Sequence, residues 1–277
     1  MPTEQALDNG ILWLPDGPPR AAMLVLAGSS GRLEHDRARV LASRGVLAAS
    51  IRYFGGPGQP PGVCEIPLET FVAGLDLLRQ YHPPRIGMMG VSKGAEATLL
   101  TACRVSDLDV AMAVSPTSVV WANVGAGYDG RDRPMRSSWS WQDEPLPFVP
   151  YDDTYRWPEP PVACRPLYEA SLAAHPGMAA VAAIPVELIK ATLICVAGAD
   201  DEMWPSDLFA RLIADRRRDA GLPWTVLHSD NAGHRPYFPG EPEPLPSPRF
   251  RYGGNAAADA ELGARMLARL LEALGIG

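Results

Sequence analysis

The sequence predicts an α/β protein with a mostly parallel central sheet, helices on both faces of the sheet, and one long insertion. Continuous apolar runs such as 22–27 alternate along the chain with segments that repeat apolar residues at helical spacing. Strands that are buried on both faces are continuously apolar, and helices connect them when they run parallel. The alternation stops after 114 and resumes near 185, so we assign 115–185 to a lid or cap insertion.

Six strands are predicted from the apolar runs, each followed by a turn or a loop. They lie at residues 22–27, 46–53, 85–89, 110–114, 191–199 and 224–228. Glycine and proline recur throughout 54–62, and this segment is predicted to be an ordinary loop.

Five helices are predicted from apolar residues that recur every three or four positions. The first spans 33–44 and ends before Gly45, since glycine is favoured just past a helix end. Pro67 is expected to open the second helix, as proline does at a first helical position. Ser206 is expected to cap the fourth helix with its hydroxyl. The third and fifth helices are predicted at 93–104 and 262–274.

A single domain over 1–277 is the simplest organisation of this chain. Of its 277 residues, 47% are hydrophobic and 21% are charged, which is typical of soluble globular domains. No internal repeat or interdomain linker is visible. The net charge of −7 argues against a nucleic-acid partner held by a basic face. We expect the arginine triplet at 216–218 to be the solvated end of a helix.

Cysteine spacing and the first residues bear on location. The four cysteines show no C-x-x-C or metal-ligand spacing, which favours free thiols in a reducing compartment. The N-terminal residues lack the pattern of a leader, and no apolar run has the length that a bilayer span needs. We therefore expect a cytoplasmic protein with no membrane partner. Neither a metal cluster nor a dinucleotide fingerprint is present, so no cofactor is expected.

Ser92 is a candidate nucleophile because it lies between a predicted strand and a predicted helix in the pattern G-x-S-x-G. On such a turn the serine adopts strained backbone angles, and the residues two before and two after it must be small. Both are glycine, at Gly90 and Gly94. The following helix offers free N–H groups and the positive end of its dipole to a developing negative charge.

A serine nucleophile requires a histidine base and a carboxylate, in the chain order serine, acid, histidine. His234 fits this order, in the loop between the last predicted strand and the last predicted helix. The other histidines precede the serine, precede any suitable acid or lie within a predicted strand: His35, His82, His175 and His228.

Two neighbouring aspartates are candidates for the acid. Asp200 and Asp201 both follow Gly198 at the carboxyl end of a predicted strand, the edge where open α/β sheets hold their sites. We favour Asp201, three residues after Gly198 and four before Pro205, and expect Asp200 to be a turn residue. The spacing leaves Asp200 as the alternative acid.

Backbone N–H groups beside the serine are candidates for an oxyanion hole. The N–H of Lys93 follows the nucleophile directly, and the turn 28–31 offers the N–H of Ser29 or Ser30 at the end of the first strand. A plain turn is the alternative for 28–31. The side chain of Lys93 is expected to be exposed on the first turn of its helix.

These motifs together resemble the C-terminal catalytic domain shared by acyl-CoA thioesterases and bile acid-CoA:amino acid N-acyltransferases, which has an α/β-hydrolase fold. The resemblance runs from about Leu24 to the final helix. It is carried by the segments "AGSSGRLEHDRARVLASRGV", "YFGGPGQPP", "IGMMGVSKGAE", "RSSWSWQDEPLPFVPYD", "IPVELIKATLICVAGADDEMWPS", "AGHRPYFP" and "YGGNAAADAELGARML".

The resemblance implies a triad of Ser92, Asp201 and His234, and an acyl-enzyme formed from an acyl thioester. The amino-acid acyltransferases of this family carry cysteine as the nucleophile, so serine favours hydrolysis over transfer. Family members place an all-β sandwich before the catalytic domain. Only about twenty residues precede the first predicted strand, so we expect no such domain here.

The expected substrate is a small-molecule acyl thioester, either acyl-CoA or an acyl group on a carrier protein. The alternatives are a carboxylester or lactone hydrolase of the dienelactone type, acyl transfer to an amine, and a non-catalytic binding protein. The insertion is expected to cover the site. Its aromatic residues Trp139, Trp141 and Trp157 are candidates for an apolar acyl tunnel, with packing of the lid onto the core as the alternative.

Overall fold

The computed structural model describes residues 1–277 and contains eleven strands, which we number in chain order. They are β1 (Thr3–Leu7), β2 (Gly10–Leu14), β3 (Ala21–Leu26), β4 (Val46–Ile51), β5 (Ile66–Pro67), β6 (Ile86–Val91), β7 (Val110–Val114), β8 (Trp139–Trp141), β9 (Glu144–Pro145), β10 (Thr192–Gly198) and β11 (Thr225–Ser229). Eight strands form the central sheet in the order β1-β2-β4-β3-β6-β7-β10-β11, and β5, β8 and β9 form a small second sheet.

The central sheet is mostly parallel, as predicted. β2 pairs antiparallel with β1 and β4. Every other neighbouring pair, from β4 to β11, is parallel. The carboxyl ends of these parallel strands therefore meet at one edge of the sheet, where open α/β sheets hold their sites.

The structure contains seven helices, of which five lie on the two faces of the sheet and two, the fourth and fifth in chain order, belong to the insertion. They are α1 (His35–Ala42), α2 (Glu69–Arg79), α3 (Lys93–Ala102), α4 (Arg165–Ala174), α5 (Pro176–Val181), α6 (Ser206–Asp219) and α7 (Ala256–Ala273). Buried residues of α1 and α7 pack on one face in one hydrophobic cluster. Those of α2, α3 and α6 pack on the other face in a second, larger cluster. The molecule is thus a three-layer α/β structure.

The N-terminal hairpin of β1 and β2 was not predicted. β1 is a polar edge strand whose side chains are nearly all exposed, so it has no apolar run. It forms because its backbone pairs with β2, and β2 pairs in turn with the buried strand β4.

Two roles predicted at helix starts were wrong. Pro67 lies in β5, which pairs with β8, and α2 begins two residues later at Glu69. Ser206 is the first residue of α6 but makes no capping hydrogen bond. Its hydroxyl donates instead to the carboxylate of Asp201, a partner in the preceding loop.

The insertion 115–185 has more regular structure than its sequence indicated. It contains β8, β9, α4 and α5, together with isolated bridges such as Trp121 with Val149 and Ala122 with Ser137. Trp121 has no exposed surface and belongs to the larger hydrophobic cluster. These pairings join positions far apart in the chain, so no local periodicity reports them.

The arginine triplet at the end of α6 is not fully solvated, contrary to the prediction. Arg217 is 2% exposed, and its guanidinium donates to the carbonyl oxygens of Val186, Ile189 and Pro223. Five N–H donors let one arginine satisfy several carbonyls of a turn. Arg217 therefore joins α6 to the segments on both sides of it. None of the helices has the length and apolar character needed to cross a membrane.

Candidate active site

Ser92 forms the sharp connection between β6 and α3. Its backbone angles are φ 58° and ψ −120°, in a region that residues with a Cβ rarely adopt. Backbone hydrogen bonds of Ser92 N–H and Ser92 O stabilise this strained conformation. Ser92 N–H donates to Val114 O at 2.9 Å, and Ser92 O accepts from the N–H groups of Ala95 and Glu96. The half-buried side chain therefore lies at the carboxyl edge of the sheet.

The two glycines around Ser92 are required by close backbone packing. A Cβ on Gly90 would collide with the carbonyl of Gly94. A Cβ on Gly94 would lie 2.8 Å from Leu26 O and would collide with Ala27 O. The first turn of α3 thus lies directly against the ends of β6 and β3, which explains why small residues are needed at both positions.

His234 and Asp201 form a buried pair, with His234 Nδ1 2.8 Å from Asp201 Oδ2. His234 is 4% exposed and Asp201 is 1% exposed. Asp201 Oδ1 also accepts the N–H groups of Met203 and Trp204, at 2.8 and 3.2 Å. Accepting on both oxygens matches the capacity of an ionised carboxylate. With Nδ1–H donated to Asp201, the Nε2 atom of a neutral ring is an acceptor.

Asp200, the alternative acid, has different partners. Its exposed carboxylate accepts the N–H of Gly254 at 2.9 Å, and its backbone N–H donates to Ala232 O. It makes no hydrogen bond to His234. Of the two neighbouring aspartates, Asp201 contacts the histidine and Asp200 holds a turn.

The backbone and ring of His234 are held by groups that the sequence reasoning did not identify. The hydroxyl of Ser115 donates to His234 O at 2.9 Å, and His234 N–H donates to Tyr252 O at 2.9 Å. The ring packs edge-on against Trp204 and stacks with Tyr252. Trp204 Nε1 donates to Ser115 O, which links these supports to one another. The sequence did contain a signal for Ser115, because this residue directly follows the predicted strand 110–114 and so lies at the carboxyl edge of the sheet.

Ser92 lies on the same sheet edge as the aspartate–histidine pair, but no hydrogen bond joins Ser92 Oγ to the His234 ring in this structure. Of the two candidate partners of His234, Asp201 is the one that is hydrogen-bonded to its ring in this structure. In catalytic sites without substrate, the hydrogen bond from nucleophile to base is often long and tightens when substrate binds.

The turn 28–31 packs beside Ser92. A Cβ on Gly28 would lie 3.0 Å from Ser92 Cβ and 3.5 Å from Ser92 Oγ. The buried hydroxyl of Tyr53 lies 2.9 Å from Ala27 O and 3.0 Å from Gly28 O, which fixes the start of the turn. The three candidate N–H groups have no acceptor within the protein: Ser29, Ser30 and Lys93.

The side chain of Lys93 is buried, contrary to the prediction that it is exposed. It is 1% exposed and bonds to Glu96 and to Ser138. The sequence suggested exposure because polar residues in the first turn of a helix usually face water. Here the insertion covers that face of α3.

The three candidate tunnel tryptophans lie in different environments. Trp139 has no exposed surface and packs against Tyr53 and Phe71 in the hydrophobic core. Trp141 is half-buried beneath the guanidinium of Arg104. Trp157 is 53% exposed. They therefore do not form one tunnel, and the packing alternative describes Trp139. No group of three or more histidine, cysteine, aspartate or glutamate side chains is arranged to hold a metal ion.

Comparison with known proteins gives consistent relatives. The family described as "BAAT / Acyl-CoA thioester hydrolase C terminal" matches residues 66–266, well over half of the chain. Acyl-coenzyme A thioesterase 6 of Mus musculus is 27% identical over 248 residues, covering 86% of this chain and 55% of its own. Acyl-coenzyme A amino acid N-acyltransferase 2 of Rattus norvegicus is 28% identical over 241 residues, covering 83% and 53%. The chain spans about half the length of the curated relatives that it matches.

Solved structures share the fold at low sequence identity. A puromycin-hydrolyzing peptidase of Mycobacterium tuberculosis superposes with a TM-score of 0.58 at 15% identity, covering 99% of this chain and 39% of its own. A dienelactone hydrolase-like promiscuous phosphotriesterase from metagenomic libraries superposes with a TM-score of 0.54 at 16% identity, covering 98% of each chain. With this α/β-hydrolase fold and the family match over residues 66–266, the chain belongs to the BAAT / acyl-CoA thioester hydrolase C-terminal family.

Proposed function

We propose that this protein is a serine hydrolase that cleaves an acyl thioester through an acyl-enzyme. One observation carries the proposal: Ser92 is held on a strained turn at the sheet edge that also holds the Asp201–His234 pair. Membership of a family whose members include acyl-CoA thioesterases supports the choice of reaction.

In the first half-reaction, Ser92 Oγ forms a bond to the thioester carbonyl carbon while His234 Nε2 takes the hydroxyl proton. The carbonyl oxygen becomes an oxyanion, which accepts hydrogen bonds from the N–H of Lys93 and of Ser29 or Ser30. When the carbonyl re-forms, the carbon–sulfur bond breaks and the thiol leaves with the proton from His234. Asp201 stabilises the imidazolium form of His234 between these steps.

In the second half-reaction, His234 takes a proton from water as the water oxygen attacks the acyl-enzyme carbonyl. The same N–H groups stabilise the second oxyanion. The bond to Ser92 Oγ then breaks, and His234 returns the proton to the serine. The products are a thiol and a carboxylic acid, and the enzyme is regenerated.

Relatives that are acyl-coenzyme A thioesterases favour a coenzyme A thioester as substrate. An acyl group on a carrier protein presents the same reacting atoms. One relative is named an amino acid N-acyltransferase, which makes transfer to an amine the second candidate function. In that case an amine replaces water in the second half-reaction, and the product is an amide.

The insertion 115–185 is proposed to act as a lid that selects the acyl group. Its Tyr168 packs edge-on against Trp204, which in turn packs against His234. An apolar cavity of about 280 Å³ lies between the insertion and α6, lined by residues such as Val119, Leu172 and Phe209. Pockets for small ligands are commonly apolar and formed between packed elements.

The experiment is a comparison of hydrolysis rates for an acyl-CoA series and for oxygen esters of the same acyl groups. Faster hydrolysis of the acyl-CoA is expected. Equal or faster hydrolysis of the oxygen esters would overturn the thioesterase assignment in favour of an esterase or lactonase. Mass spectrometry of reactions that contain amino acids distinguishes amide formation from hydrolysis.

A further inference from the structure

The first turn of α3 contains a buried lysine and a buried glutamate whose side chains take no part in the proposed proton transfers. Lys93 is 1% exposed and Glu96 is 0% exposed, and Lys93 Nζ lies 2.9 Å from Glu96 Oε2. Burial lowers the pKa of Lys93 and raises the pKa of Glu96, and the contact between the two groups opposes both shifts. Burial thus disfavours the charge on each group, and their mutual contact favours it.

The pair bonds α3 to two segments of the insertion. Lys93 Nζ donates to Ser138 Oγ at 2.8 Å and to Ala122 O at 3.5 Å. Ser138 Oγ donates to the same carbonyl of Ala122 at 2.8 Å. Glu96 Oε1 accepts the N–H of Trp121 at 2.9 Å. Each of these partners belongs to the insertion, so the helix that follows the candidate nucleophile is tied to the proposed lid by polar contacts.

A gain in folding stability does not by itself explain why a buried ion pair is present. Apolar side chains of similar volume in place of such a pair often leave stability unchanged or increase it, because both charges lose their hydration on burial. A polar pair does hold one specific geometry, since its hydrogen bonds are directional. The geometry held here is the start of α3, where the N–H of Lys93 lies next to Ser92 with no acceptor in the protein.

We propose that Lys93 and Glu96 are positioning residues that hold the first turn of α3, and with it the N–H of Lys93, in place against the insertion. This inference rests on the proposed function, because the N–H position matters only if an oxyanion forms beside Ser92. The anchored Nζ and the N–H belong to the same residue, so the side chain restrains the tilt of the first turn. A misplaced donor weakens the transition state more than the bound substrate.

The test is the double variant Lys93→Met/Glu96→Gln. It removes both charges, keeps the lengths of both side chains and leaves a glutamine oxygen to accept from Trp121. We expect a denaturation midpoint close to that of the wild type. For acyl-CoA hydrolysis we expect kcat to fall about tenfold or more with little change in KM, as loss of a transition-state contact does.

A matched control is Thr101→Val on the same helix. Thr101 is buried, and its hydroxyl makes no hydrogen bond, so this change also removes a buried polar group from α3. We expect its kcat to equal that of the wild type. Loss of kcat in this control comparable to that in the double variant would overturn the positioning role.

The rate at which a fluorophosphonate labels Ser92 separates this inference from the proposed function, because labelling needs no thioester. Slower labelling and lower kcat in a folded double variant support positioning. Wild-type labelling and kcat in that variant overturn positioning and leave the proposed function intact. A wild-type protein that is neither labelled nor active on thioesters overturns both proposals.

A second variant covers the case in which the double variant does not fold. Ser138→Ala removes one acceptor of Lys93 Nζ with the loss of a single oxygen atom. We expect a smaller fall in kcat with KM again unchanged. An unchanged kcat in folded Ser138→Ala would count against the inference.

Discussion

Ser206 donates a hydrogen bond of 2.6 Å to Asp201, on the same Oδ2 atom that contacts His234. Both side chains are buried, and Ser206 begins α6, so the acid is held from the helix as well as from its own loop. The contact fixes which way the carboxylate faces. It therefore links the start of α6 to the orientation of the histidine.

Ser206→Ala is expected to lower kcat about tenfold. A hydrogen bond to a charged group contributes about 1.5–3 kcal/mol, and part of the energy lost with this bond weakens the orientation of His234 by Asp201. Steady-state hydrolysis of an acyl-CoA measures it. Ser43→Ala is the control, because Ser43 Oγ bonds to Val40 O in α1 and has no contact with Asp201. Equal kcat in both variants would show that Ser206 does not orient the acid.

Ser92→Ala and His234→Ala are each expected to lower turnover by about three to six orders of magnitude, because a nucleophile and its base act as one unit. The double variant should be little worse than either single variant. The denaturation midpoint of Ser92→Ala is expected to stay near the wild-type value, whereas that of His234→Ala is expected to fall, because this change removes a buried ring and a hydrogen-bond partner of Asp201. Near-normal turnover in either single variant would refute the assignment of that residue.

Asp201→Asn is expected to reduce kcat about 10²- to 10⁴-fold, because the histidine loses both its orientation and the stabilisation of its charged form. Asp200→Asn is the matched neighbour. Its carboxylate bonds only to the N–H of Gly254, so its kcat should stay close to that of the wild type. The opposite ranking of the two variants would make Asp200 the acid.

Arg37→Met is expected to lower the free energy of unfolding by about 3–5 kcal/mol, because it leaves Glu241 as an unpaired buried charge. In the wild type, Arg37 bonds to both oxygens of Glu241 and to Pro236 O, which holds the loop after His234 against α1. Urea denaturation measures the change.

The control for this prediction is Arg39→Met in the same helix. Arg39 pairs with Asp36 at the surface, where both side chains are more than one-third exposed. Its loss should cost about 0–1 kcal/mol. The variant Arg37→Met/Glu241→Leu should regain much of the lost stability, and failure to do so would contradict the buried-charge explanation.

Most of the strands that were predicted correctly are buried along nearly their whole length. β7 (Val110–Val114) is buried at every position, so its sequence is a continuous apolar run with the predicted bounds. β1 failed as a prediction because an edge strand is defined by its partner rather than by its own side chains. The regular structure within the insertion was missed for the same reason, since its bridges join distant residues.

Within the candidate site, the residue types were predictable and several of their contacts were not. Chain order and strand ends pointed to Ser92 and His234, but two adjacent aspartates satisfied the same spacing. The fold separates the two aspartates, because the backbone of Gly253 packs directly on Asp200 O and the N–H of Gly254 bonds to the Asp200 carboxylate. Asp201, which these contacts do not involve, is hydrogen-bonded to His234.

By itself, the sequence determined the succession of the six central parallel strands and of the five helices between and after them, the glycines around Ser92 and the resemblance to a family, because each depends on a few neighbouring residues. Only the tertiary structure decided that Asp201 contacts His234, that Ser206 supports it and that Lys93 is buried. These facts depend on contacts between residues from 5 to 45 positions apart in the chain. Such contacts exist only once the order of the strands in the sheet and the packing of the insertion bring those residues together.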